Sequence, residues 1–195
     1  MTAFFTPCWK NRLERLALLA CCWLWLAAAQ AGSIEARSAA LIPDEQGYAL
    51  NAEFDIRIGA RLEDAVGRGV PLHFRFEILI KRKRWYWADE HVVGRVLDYR
   101  LSYQALTRQY RLSLGSLHRN FDTLDEALRA LGRMGRLHVA DSTTLPPGEP
   151  VTVALRLSLD HTELPKPLQI DALSDREWRV EAKTHSWQFV PSPVQ

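Results

Sequence analysis

Histidine is the side chain best placed to hold a metal or move a proton near neutral pH, and six are present: His73, His91, His118, His138, His161 and His185. None sits in a dense ligand spacing such as H-E-x-x-H. His73 with Glu77, or His138 with Asp141, would need a third ligand supplied by the fold. Serine chemistry is no better signposted. There is no G-x-S-x-G elbow, and Ser113-Leu114-Gly115-Ser116 reads as a turn after a strand. Paired carboxylates exist at Asp89-Glu90 and at Asp122 with Asp125 and Glu126, but the second set is accounted for by helix capping, and Asp44-Glu45 lies beside Gly47 in a turn. The expectation is therefore no catalytic residue, no metal site and no cofactor. A small metal-dependent or other enzyme using histidines gathered in space is the alternative.

The densest chemistry is Lys81-Arg82-Lys83-Arg84-Trp85-Tyr86-Trp87, where four consecutive cations meet three aromatics at the end of a strand. Such a run can attract anionic headgroups, cell-wall polymer or an acidic protein, with Trp and Tyr at the wet boundary. Strand alternation offers a structural reading of the same residues. Trp85 and Trp87 would point into the core, Tyr86 outward, and the cations would guard a strand edge against aggregation. On the first reading Lys81, Arg82, Lys83, Arg84, Trp85, Tyr86 and Trp87 are the candidate interaction patch; on the second they are structural.

The elements that must position these residues are mostly strands. Tyr48, Leu50, Ala52, Phe54, Ile56 and Ile58 alternate with mainly polar residues. So do Leu72, Phe74, Phe76, Ile78 and Ile80, with Pro71 near the strand start. Val93 to Tyr103 and Arg108 to Leu114 read as a hairpin connected by 104–107. Arg100, Arg108 and Arg111 are expected to form cross-strand polar pairs on its exposed face. Tyr99, Tyr103, Tyr110, Trp178 and Trp187 are expected to pack in the core or on a sheet face. Val151 to Leu159 is a further strand, after a Pro146-Pro147-Gly148 turn and before the bend at Leu164-Pro165-Lys166-Pro167. A last strand is expected between Trp178 and Phe189.

Leu62 to Val66 carries a short helical pattern. A second helix opens at Thr123-Leu124-Asp125-Glu126, a capping box, and ends at Gly132 or Gly135. Six to eight strands without crossover helices predict a mainly β fold: an antiparallel β-sandwich, immunoglobulin-like in general architecture, with two short helices inserted.

The first 31 residues have a different character. Lys10, Arg12 and Arg15 precede an apolar run of about 14 residues, Leu16 to Ala29, and Ala29-Gln30-Ala31 closes it. This order predicts a secretory signal peptide over 1–31, cleaved after Ala31, with 32–195 as a single sandwich domain. The run is shorter than the roughly 20 residues a membrane-spanning helix needs. Lipidation at Cys21, after Leu18-Leu19-Ala20, is the minor alternative. All three cysteines (Cys8, Cys21, Cys22) fall in this leader, so the mature chain would be cysteine-free and held by its core alone. The leader also carries three of the 25 Lys+Arg and one of the 23 Asp+Glu. That leaves 22 of each, a neutral mature chain, and no electrostatic case for nucleic acid.

Asp98-Tyr99-Arg100-Leu101-Ser102-Tyr103, Leu106 to Leu112, Phe121 to Leu128, Leu164 to Leu168 and Trp178 together resemble the proteobacterial exported family catalogued as domain of unknown function 4390. The resemblance covers nearly all of the mature chain. It implies an exported protein without assigned catalytic residues. It also implies a gene neighbourhood that often includes a nitrogen-regulation-type sensor kinase. The expected function is a periplasmic, non-enzymatic binding or accessory module for an envelope component, a sensor kinase or an anionic surface among them. A purely structural envelope protein is a further alternative.

Overall fold

The computed structural model describes residues 32–84, 86, 90–169, 178 and 180–192. The leader with its cleavage site and Cys21, together with Trp85, Trp87 and Asp89, lies outside the described residues. Among the described residues, no helix is long and apolar enough to cross a membrane.

The fold is mainly β, built from two sheets around one apolar core. Ten strands are described: β1 (Gly32–Asp44), β2 (Gly47–Arg57), β3 (Leu72–Arg82), β4 (Glu90–Gln104), β5 (Gln109–Leu114), β6 (Leu117–Phe121), β7 (Arg133–Asp141), β8 (Val151–Leu159), β9 (Val180–Ala182) and β10 (His185–Phe189). The first sheet runs β7-β2-β1-β9 and the second β10-β8-β3-β4-β5-β6. All pairings are antiparallel except the three-residue one of β1 with β9, so the fold is the expected antiparallel β-sandwich with one short parallel pairing at the edge of its first sheet. The expected last strand is two strands, β9 and β10, placed in different sheets.

Periodicity located the central strands because those are the ones with a single buried face. Leu72, Phe74, Phe76, Ile78 and Ile80 of β3 are all buried, as are Val151, Val153, Leu155, Leu157 and Leu159 of β8. From the facing sheet Leu50, Phe54 and Ile56 of β2 close the core. Phe54 meets Phe76 edge-on, ring centroids 6.1 Å apart.

Strands β1, β6 and β7 escape the same reading for local reasons. In β1 a bulge between Ala36 and Ser38 breaks the alternation. β6 has no fully buried residue. In β7 the register shifts opposite Leu50 and Ala52, and Arg136 takes a left-handed φ of 48° with its N–H on Asn51 Oδ1 at 2.7 Å.

Two helices bridge the sheets. α1 (Ala60–Gly67) buries Leu62, Ala65 and Val66. α2 (Leu124–Leu131) buries Ala127, Leu128 and Leu131, and the Thr123 hydroxyl accepts from the Glu126 N–H at 3.3 Å. Gly132, not Gly135, ends α2. A Cβ there would lie 2.4 Å from the Phe54 carbonyl oxygen, so only glycine lets the chain turn so close to β2. α2 therefore sits against β2, β7 and the outlying β5–β6 hairpin. The second sheet is the wider one, and β5 and β6 extend it on that side.

Candidate functional site

The expected patch occupies the tip of the β3–β4 hairpin. Lys81 and Arg82 end β3, and Lys83, Arg84 and Tyr86 follow in the connection. Tyr86 is 69% exposed. The antiparallel return of β4 sets Glu90 opposite Arg82, and β8 brings Glu149 up from the other side. Glu90 Oε2 lies 2.6 Å from Arg84 Nη2 and 3.6 Å from Arg82 Nη1. Arg82 Nε lies 2.9 Å from Glu149 Oε2, at an angle too poor for a hydrogen bond, so that pair is held by charge alone. Two of the four cations are thus neutralised within the fold. Lys81 and Lys83 have no ion-pair partner among the described residues.

A second cationic region emerges one hairpin further on. The 23 residues from Tyr99 to Phe121 contain Arg100, Arg108, Arg111 and Arg119 and not one carboxylate. They form most of the β4–β5–β6 meander. Direct cross-strand partners share a face, so register assembles a grid on the outer side. His73, Arg100, Ser113 and His118 make one row, and Ser102, Arg111 and Asn120 the next. Arg111 Nε donates to Asn120 Oδ1 at 3.2 Å, the cross-strand pair expected of it. Arg100 and Arg108 do not make the expected pairs. Arg108 instead sits in the β4–β5 turn at φ 55°. Among the described residues none of the four arginines is paired with a carboxylate.

Asp98, two residues before Arg100, is already engaged elsewhere. Arg75 donates to Asp98 Oδ1 at 3.0 Å and reaches Asp160 Oδ2 at 2.9 Å. Asp160 also accepts from the Thr162 hydroxyl at 2.6 Å and from its N–H at 3.0 Å, capping a 3-10 turn over His161–Glu163. The Thr162 hydroxyl bond is the first cause holding the Asp160 carboxyl below its ordinary 3.8. The Thr162 amide and Arg75 add to it, and burial opposes.

The inner side of the meander is mainly apolar, with Arg119 among its residues. Tyr103 and Tyr110 pack with centroids 5.0 Å apart, and the Arg119 guanidinium lies 5.3 Å from the Phe121 ring centre. Between the β5–β6 hairpin and the end of α2 is a cavity of about 210 Å³ lined by Tyr99, Leu112, Leu114, Leu117 and Ala130 together with His118, Arg119 and Arg133. Burial pushes the Tyr99 phenol up, so it stays a neutral hydroxyl. Leu117, on the edge strand, is 73% exposed. A larger open depression of about 350 Å³ lies over Leu79, where Gly94 and Ala154 present little side chain.

The histidines are dispersed. His138 Nε2 is 3.1 Å from Asp141 Oδ1, and no group of three His, Cys, Asp or Glu converges among the described residues. His73 and Glu77 share a strand face but stand roughly 13 Å apart at 3.3 Å per residue, too far to share an ion. A sequence signal for the meander did exist in its want of acids. Attention to consecutive cations passed over it. Residues 31–188 match the family described as Domain of unknown function (DUF4390). No curated protein and no solved structure matches the chain.

Proposed function

The chain belongs to the family described as Domain of unknown function (DUF4390), and we propose that it is an exported, non-enzymatic binding module for an anionic component of the cell envelope. The observation that carries this reading is the β4–β6 meander, whose four arginines have no carboxylate partner among the described residues, on a mature chain expected to hold as many acids as bases. Fixed cations without internal partners are available to steer and hold an anion, whereas those already paired are not. Export rests on the leader, with its charge, short apolar run and Ala29-Gln30-Ala31. A sensor kinase's extracytoplasmic region is the first protein component to look for, on the gene neighbourhood that the family resemblance implies.

A second reading keeps the β3–β4 tip as the binding surface. It is favoured by Lys81, Lys83 and the exposed Tyr86.

The test is capture from whole cells, with the full chain tagged at its C-terminus and crosslinked before the envelope is solubilised. Wild-type protein is expected to recover one stoichiometric component. Arg100→Glu with Arg111→Glu should abolish recovery, and Lys81→Glu with Lys83→Glu should leave it. The opposite pattern would move the surface to the tip. Recovery indifferent to both pairs would overturn the electrostatic reading. N-terminal sequencing of the recovered protein should begin at Gly32; an intact leader or a lipid on Cys21 would overturn release into the periplasm.

A further inference from the structure

An anionic partner fixes only a sign of charge; the edge of the second sheet adds a mode of binding. Among the described residues β6 pairs with β5 alone, so its other side is an open edge there. A two-residue turn, Gly115-Ser116, joins the two strands, with Gly115 at the φ of 57° that such a turn asks of its first residue. The residues flanking that turn, Leu114 and Leu117, exchange both backbone bonds, as do Leu112 with Arg119 and Tyr110 with Phe121. The N–H and C=O groups of His118 and Asn120 therefore point away from β5, toward the open edge.

The two faces flanking this edge differ. Outward lie His118, Asn120, Arg111 and, two strands in, Arg100. Inward lie Leu117, the Phe121 ring with Arg119 over it, and the mouth of the 210 Å³ cavity. A strand laid beside β6 would send alternate side chains to each face. We propose that β6 accepts an added strand from a partner protein: an extended segment in which acidic and apolar residues alternate. Its carboxylates meet Arg111 on the outer face, with Arg100 one strand further in adding attraction at longer range, and its apolar side chains cover Leu117 and Phe121 at the mouth of the cavity. Main-chain bonds to His118 and Asn120 set the register. A second copy of this chain is the wrong occupant, because its own β6 would bring Arg119 and His118 against like charge. This inference rests on the binding-module reading and specifies its partner.

The experiment uses the processed protein and two synthetic decapeptides, one alternating Glu and Val, the other Lys and Val. Binding is followed by fluorescence anisotropy and by amide exchange in NMR spectra. The Glu/Val peptide is expected to bind and to protect the amides of His118 and Asn120, while the Lys/Val peptide does neither. His118→Pro removes one outward N–H without touching the β5 ladder and should weaken binding at least tenfold. Arg111→Glu alters the outer face alone and leaves the backbone intact; it should do the same, which keeps the test open if the proline variant fails to fold. Protection confined to other strands, or binding unchanged in both variants, would overturn strand addition. Inorganic polyphosphate binding as tightly as the peptide, with no amide protected, would overturn it in favour of a plain anion face. If envelope capture still depends on Arg100 and Arg111 while the peptide fails, strand addition falls and the binding module stands. If neither depends on them, both fall.

Discussion

At the β3–β4 tip two of four consecutive cations, Arg82 and Arg84, are paired with Glu90 and Glu149; on the β4–β6 meander four arginines spread over 20 residues have no carboxylate partner among the described residues. The first cluster is conspicuous in the chain and partly cancelled in space. The second is inconspicuous in the chain and left uncancelled. The cause is geometric. A hairpin tip folds its own flanking residues back on itself, so Glu90 arrives opposite Arg82 as a consequence of the turn. Over residues 99–121 of the meander, which hold no acid, each cross-strand neighbour is neutral or basic. The two flanking acids are engaged elsewhere, Asp98 by Arg75 and Asp122 by the Gln109 amide. Charge density along a sequence is therefore a poor guide to available charge when strands pair locally.

The comparison breaks first if the meander is not a firmly held unit. Leu101 is fully buried in the part of β4 that pairs with both β3 and β5. Leu101→Ala should cost about 3 kcal/mol in chemical denaturation, the usual penalty for a buried leucine cavity. It should also speed amide exchange on β4–β6 more than at the β3 end of the tip. Equal acceleration at both would mean that the two regions unfold together.

Next in size is charge reversal. Arg111→Glu with Arg119→Glu is expected to lower affinity for an acidic partner by about a hundredfold at low salt, and the loss should shrink as salt rises. Lys81→Glu with Lys83→Glu should change it by less than about threefold, since Glu90 and Glu149 already crowd that tip. Titration calorimetry of the two variants under one buffer ranks them directly.

Asp160 guards the border between the two regions by holding Arg75 beside Asp98. Asp160→Ala removes a cap and an ion pair together and should cost about 1–2 kcal/mol. Its carboxyl lies below 3.8 in the folded chain, so the stability it supplies is complete above that value. It is lost as pH falls from about 4 through the folded value. Asp44, held down first by its bond from Arg136, acts in the same direction. Melting curves should be flat from neutral pH to about 5 and then decline. The decline should be shallower in Asp160→Ala.

Smallest is Glu90→Gln. Removing that carboxylate releases Arg84 and half of the hold on Arg82, at about 0.5 kcal/mol for an exposed pair. It should raise retention of the protein on an anionic resin. Unchanged retention would show that the tip cations were never masked, and the contrast between the regions would lose its basis.

Legibility in the sequence followed burial. β2, β3, β8 and the α2 cap were visible because a half-buried strand must alternate and a helix start must satisfy its free amides. β1, β6 and β7 were not, since bulges, a left-handed Arg136 and an edge without buried residues remove that signal. The candidate patch was visible as a string of residues, but its neutralisation was not. Glu149 stands 67 positions from Arg82.

What the sequence determined by itself is which faces had to be buried, and so the mainly β architecture, because the apolar period is a property of consecutive residues. Only the tertiary structure decided which cations keep their charge to offer. That depends on cross-strand register and on which acid reaches an arginine first, and neither is written in any local stretch of the chain.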